Sequence, residues 1–212
     1  MVHSVLLGDS VFDNGAYVPA GSDVAAQLRA LVGPHDRVSL LARDGSVLSD
    51  VAQQVARLGE LPDADWLIVS CGGNDVLGLV GAMQSSVGSV LEAAELLAGW
   101  QAGFRRAYRA MLEQVGAPGR PVAVATIYDA VPGIGPGLRT ALAPFNDVIM
   151  REAALRRLPV LDLRLVCSTA DDFAASSPIG PSAAGGRKIA AALAQLLRSQ
   201  PRVAPQTMIY GA

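Results

Sequence analysis

Three short segments carry groups able to do chemistry: Gly8-Asp9-Ser10, Asp44-Gly45-Ser46 and Gly72-Gly73-Asn74-Asp75. They place a hydroxyl, a backbone N–H with no Cβ beside it, and a carboxamide at the ends of successive apolar runs. Nucleophilic acyl transfer needs such groups: an oxygen that attacks, and hydrogen-bond donors aimed at the oxygen that becomes negative in the tetrahedral intermediate. Taken alone, an Asp-Ser behind a strand is also what a turn with a helix cap looks like. Gly-Gly-Asn-Asp behind an apolar run is more specific, and the ordered set is more specific again.

For these turns to meet, the elements before them must run parallel and end together. The runs 2–7, 37–41, 66–70, 122–127 and 160–163 are apolar along almost their whole length. That pattern suits strands covered on both faces, since half-exposed strands alternate. Between them lie segments of helical period: Val24, Leu28 and Leu31; Val51, Val55 and Leu58; Phe104, Tyr108, Met111 and Val115; Leu142, Phe145 and Ile149; Ile189, Leu193, Leu196 and Leu197. Ser22 and Ser49 are placed as N-caps of the first two. The expected architecture is an α/β fold, a three-layer α/β/α sandwich around a flavodoxin-like, five-stranded parallel sheet. Ligands in such sheets bind at the carboxyl ends of the strands. Residues 1–200 are expected to form one domain. Pro201 and Pro205 stop the last helix, so residues 201–212 read as a loose tail, the alternative being that Met208, Ile209 and Tyr210 dock on the body or a second subunit. The arginine pairs at 105–106 and 156–157 fall off the apolar stripes and read as solvated helix faces.

Composition sets the outer bounds. The 212 residues are 51% hydrophobic and 17% charged, enough apolar material for one substantial core. Seventeen Lys and Arg against 19 Asp and Glu leave a net charge of -2, which provides no field for a nucleic-acid backbone. No apolar run is long enough for a membrane span, and the first residues break into a turn too soon for a signal peptide. A cytoplasmic protein is expected, with Cys71 and Cys167 as separate thiols. Two histidines far from the cysteines argue against a zinc site, and no metal or organic cofactor is implied. Gly133-Ile134-Gly135-Pro136-Gly137 has the wrong spacing for a nucleotide loop and reads as a plain loop. The uncharged stretch 76–91 beside Asn74 either walls an acyl pocket or packs in a core or subunit contact. The oligomeric state stays open.

In these blocks and their order, over nearly the whole chain, the sequence resembles the SGNH, or GDSL, hydrolase family. The resemblance implies Ser10 as nucleophile and an oxyanion hole of the Ser10 N–H, the Gly45 N–H and the Asn74 amide. It also implies a small-molecule carboxylic ester as substrate, such as a short-chain acyl ester, an acetylated sugar or a lysolipid. The family's fourth block, Asp-x-x-His-Pro-Ser, falls on Ser177-Pro178-Ile179-Gly180-Pro181-Ser182. Its acidic and histidine positions thus hold Ser177 and Gly180, neither of which accepts a proton at neutral pH. Losing the triad histidine of a serine protease costs about a millionfold in rate. His3, seven residues before Ser10, is roughly 20 Å or more away at about 3.3 Å per strand residue. His35 precedes the second strand, at the same far edge, and both read as surface or loop residues. The carboxylates near the correct edge are Asp13, Asp44, Asp75, Asp129, Asp171 and Asp172, each needing burial to become an effective base. Cys167, behind the fifth strand, reads as a small buried hydrophobe. Two readings follow: a working ester hydrolase whose base lies outside the family pattern, or a catalytically silent relative that binds an ester, sugar or lipid in the same cleft.

Overall fold

In the computed structural model, which describes residues 2–199 and 206–211, the apolar runs lie side by side and parallel. The elements in chain order are β1 (His3–Gly8), α1 (Val24–Leu31), β2 (Arg37–Leu40), α2 (Val51–Ala56), β3 (Trp66–Ser70), α3 (Gly73–Leu77), α4 (Val90–Gly116), β4 (Val122–Ala125), α5 (Pro136–Arg156), β5 (Val160–Leu161), α6 (Leu163–Val166), β6 (Phe173–Ala174), β7 (Ser177–Pro181), α7 (Ala183–Ser199) and β8 (Ile209–Tyr210). The sheet order is β2-β1-β3-β4-β5-β8, parallel throughout, and β6 with β7 forms a separate antiparallel hairpin. The three-layer class is as expected, but the sheet has six strands rather than five.

The sixth strand comes from the segment expected to be loose. The Val160 N–H donates to the Met208 carbonyl at 2.8 Å and the Asp162 N–H to the Tyr210 carbonyl at 2.7 Å. Without this pairing the β5 edge would carry unpaired backbone donors. Pro201 and Pro205 lie outside the described residues.

Every residue of β1, β3 and β4 is buried, because helices cover both sheet faces. Leu6, Ile68, Ala123 and Leu161 face α1 and α7, meeting Val24, Leu28, Ile189 and Leu193. Val5, Leu67, Val124 and Val160 face the opposite layer, meeting Val51, Phe104, Phe145 and Ile149. β4 stops at Ala125, short of the expected 127, because a side chain takes over from the ladder. The Asn146 side chain accepts from the Ile127 N–H and donates to the Ile127 carbonyl, both at 2.8 Å.

The two helix starts differ from expectation by one residue. Asp23, not Ser22, caps α1, its Oδ1 accepting from the Ala26 N–H at 2.9 Å. Ser49 lies inside a 3-10 turn ahead of α2, where Asp50 accepts from the Val47 N–H. Nor are the arginine pairs simply solvated. Arg105 on α4 and Arg156 on α5 both bind the buried carboxylate of Glu152, with Arg109 at 3.6 Å. His3 is buried rather than a surface residue, its ring between Ser39 Oγ and the carbonyls of Pro62 and Asp63. Among the described residues no helix is long and apolar enough to cross a membrane.

Candidate active site

The first turn is set by Gly8. Its φ of +116° and the 1.8 Å between a would-be Cβ and the Ser70 carbonyl oxygen admit no side chain there. That close approach lets the Asp9 N–H donate to Ser70 O at 3.0 Å, so the chain leaves the sheet abruptly. Gln54, buried on α2, holds the other side: it accepts from the Gly8 N–H at 2.7 Å and donates to the Gly8 carbonyl at 2.8 Å. Within the turn, the N–H groups of Phe12 and Asp13 donate to the Asp9 carbonyl, and the Val11 N–H to Asp9 Oδ1. The Ser10 N–H and the Ser10 hydroxyl have no hydrogen-bond partner among the described residues, although Ser10 is 7% exposed.

Hydrogen bonds tie the second and third turns to the first. Arg43 N–H donates to the Gly8 carbonyl and Asp44 N–H to Asp13 Oδ2, both at 2.9 Å. Gly45 adopts φ +80°, is exposed, and its N–H also has no partner among the described residues. Asn74 donates one amide hydrogen to the Ser46 carbonyl at 2.9 Å, and Asp75 accepts from the Leu48 N–H at 3.0 Å. The amide has a second hydrogen left over.

Ser10 and Asn74 line one pocket of about 130 Å³, together with Asp9. Gly45 is not among its walls; it borders an adjoining depression with Arg43, Asp44 and Gln53. The uncharged stretch contributes Val76, Leu77, Val80 and Met83 to the pocket, while Val87, Val90 and Leu91 are exposed. Ile134 in the loop after β4 and Leu138 in the first turn of α5 make a wall as well. Tyr128 closes one side, donating to the Ile179 carbonyl of the β6–β7 hairpin.

Residues 177–182, read above as the fourth block, run along β7 of that hairpin and just beyond it, and Gly180 packs against Tyr17. A Cβ on Gly180 would lie 3.1 Å from Tyr17 Cδ2 and 3.3 Å from Ser177 Oγ. The Tyr17 hydroxyl donates to Asp44, a bond that holds its proton more firmly than in water. Tyr17 attracts no notice in the sequence, since only the fold brings it to residue 180.

The candidate carboxylates are mostly engaged. Asp172 is paired with Lys188 and accepts from Ser168 and Thr169; burial alone would raise its proton affinity, but these bonds hold it below the usual range. Asp13 is bonded to the second turn and Asp44 to Tyr17. Asp75 is shifted upward, chiefly by burial. Cys167 is fully buried in the core beside Phe173. The acid most displaced is Asp9, pushed up to about 7 by burial and, less strongly, by the negative charges of Asp75 and Asp44, against the Val11 N–H bond. A carboxylate beside the serine, directly behind a largely apolar strand, is the sequence signal for it.

Residues 6–203 match the GDSL-like Lipase/Acylhydrolase family. Among solved structures, a lipolytic G-D-S-L family protein of Veillonella parvula superposes with TM-score 0.71 at 14% identity, covering 94% of this chain and 100% of that one. An extracellular lipase of Streptomyces rimosus gives 0.61 at 19% identity, with 95% and 100% coverage. Phospholipase A1 of Streptomyces albidoflavus gives 0.65 at 20%, with 94% and 99% coverage. No curated protein matches the chain.

Proposed function

Because this chain belongs to the GDSL-like lipase/acylhydrolase family, we propose that it hydrolyses carboxylic esters with Ser10 as nucleophile and the Ser10 N–H, Gly45 N–H and Asn74 amide as oxyanion donors. One observation carries the reading. The N–H groups of Asp9, Val11, Phe12, Asp44 and Ser46 all have partners, while those of Ser10 and Gly45 have none among the described residues. Buried backbone donors are seldom left unpaired, and a tetrahedral oxyanion is the partner that the buried Ser10 N–H and the spare Asn74 amide hydrogen on the same pocket wall would suit; the exposed Gly45 N–H is free to join them.

The pocket indicates which half of the ester it takes. Its walls are largely Val, Leu, Ile and Met, so it suits an acyl chain better than a sugar. An apolar cavity of about 150 Å³ holds a benzene ring. By that measure a pocket of about 130 Å³ takes an acyl chain of up to about six carbons. A series of p-nitrophenyl esters from acetate to dodecanoate is expected to give highest kcat/KM at or below hexanoate. Ser10→Ala should abolish turnover and fluorophosphonate labelling, and Asn74→Ala should lower kcat by about a hundredfold to a thousandfold. Turnover that survives Ser10→Ala would refute the assignment.

The Tyr17 ring against Gly180 favours a second reading, binding without turnover. It predicts that ester analogues raise the melting temperature while a fluorophosphonate leaves Ser10 unlabelled.

A further inference from the structure

A serine hydroxyl attacks an ester at neutral pH only if another group takes its proton. No described residue bonds the Ser10 hydroxyl, and Gly180 has no side chain to offer where the resemblance expects a histidine, so the acceptor must come from elsewhere in the pocket. Asp172 is paired with Lys188, and Asp13, Asp44, Asp75, Asp129 and Asp171 are not among the pocket walls. Asp9 remains. It is 4% exposed, pairs with no cation among the described residues, and accepts from the Val11 N–H through Oδ1 at 3.1 Å. Its Oδ2 takes no hydrogen bond from any other described residue and lies 3.9 Å from where a Cβ on Gly73 would stand, inside the wall that Asp9, Ser10, Gly73 and Asn74 share. A buried carboxylate held only by the Val11 N–H and its own backbone N–H is costly and calls for a proton or a water.

We propose that Asp9 is the general base of this site, taking the Ser10 proton through one water held in the pocket. The inference rests on Ser10 being the nucleophile. In acylation, the Ser10 proton passes to the water as the water passes one to Asp9, and the Oγ–acyl carbon bond forms. When the intermediate collapses, the bond to the alcohol oxygen breaks and that oxygen takes the proton back from Asp9 by the same path. In deacylation, the water gives a proton to Asp9 and attacks the acyl carbon; a second water from solvent takes its place in the relay, and through it the proton passes from Asp9 to Ser10 Oγ as the Oγ–acyl carbon bond breaks. The sum is ester plus water giving acid plus alcohol.

The surroundings suit this role. Asp44 on the second turn and Asp75 on α3 oppose ionisation of Asp9, and burial opposes it more. Cys71 behind β3 and Tyr128 behind β4 also face it, and burial pushes both so far up that they stay neutral. A base works best when its proton affinity matches the operating pH, and Asp9 sits at about 7.

The test is kcat/KM for p-nitrophenyl butyrate against pH, in the wild type and in Asp9→Asn, with Ser10→Ala alongside. The wild type should rise about tenfold per pH unit below an inflection near 7 and level off above it. Asp9→Asn, which keeps an acceptor for the Val11 N–H, should lose about a hundredfold to ten-thousandfold and with it the inflection. His35→Gln should keep the inflection. A wild-type profile flat from pH 5 to 8, an inflection that disappears in His35→Gln, or an Asp9→Asn rate within threefold of wild type would each overturn the proposal. The wild-type profile decides the matter even if Asp9→Asn does not fold. If Ser10→Ala abolishes turnover while Asp9→Asn does not, Asp9 fails and the serine stands. If Ser10→Ala leaves turnover intact, both fail.

Discussion

Asp9 is held where its charged form is disfavoured, and the protein's stability should register that. Its folded-state proton affinity, about 7, lies above the 3.8 of a free side chain. The fold therefore binds the protonated acid better, so its contribution is most favourable below about pH 4 and diminishes as pH rises through 7. Each tenfold change in proton affinity between the folded and unfolded chain is worth ~1.4 kcal/mol. Asp9→Asn should therefore be more stable than wild type at pH 8 by up to about 4 kcal/mol, and equal to it at pH 3.5. Urea unfolding at the two pH values measures the difference. Tyr17 gives a second expectation. Because its ring would meet a side chain at residue 180, Ser177→Asp with Gly180→His should gain little esterase activity. Adding Tyr17→Gly should raise kcat/KM a further hundredfold or more, the usual scale for a positioned base. Ser10, Gly45 and Asn74 can be put forward from the sequence because each stands in a short pattern behind an apolar run, and the fold brings Ser10 and Asn74, though not Gly45, to one pocket. Asp9's burial and Tyr17's position cannot be, since both depend on which loops the fold brings together.

The helices and strands were readable to the extent that period reveals them. The stripes Phe104–Tyr108–Met111–Val115 and Leu142–Phe145–Ile149 are buried as expected. What escaped is decided by side-chain hydrogen bonds. Asp23 and Ser22 are both good caps, and only the direction of chain entry selects Asp23. No sequence pattern marks Glu152, yet it is the anion joining α4 to α5. Burial alone would raise its proton affinity, but the bonds from Arg105 and Arg156 hold it low. Glu152→Ala should destabilise the fold by about 1–3 kcal/mol, less than for a dry ion pair because the arginines left behind reach water. Arg105→Ala, which leaves Arg156 in place, should cost less. Both are read from urea midpoints at unchanged m-value.

At the scale of the whole molecule, the sheet was foreseeable and its sixth strand was not. Two residues, Ile209 and Tyr210, are too short a run to announce a strand, and pairing with β5 is a tertiary matter. Its loss should reach the site. Asp162, whose N–H it binds, accepts from Thr126 Oγ1 at 2.9 Å, and Thr126 lines the pocket. A chain ending after residue 205 should lose about 1–3 kcal/mol of stability through the exposed donors of Val160 and Asp162, and some esterase rate with it. Calorimetry and initial rates measure the two effects. Finally, the loops of this site are moored by carboxamides: Gln54 grips Gly8 on both its N–H and its carbonyl, and Asn146 does the same to Ile127. An amide neither gains nor loses a proton between about pH 4 and 9. These two moorings should stay taut while acids around them ionise, so a bend in a rate profile over that span does not arise from their release.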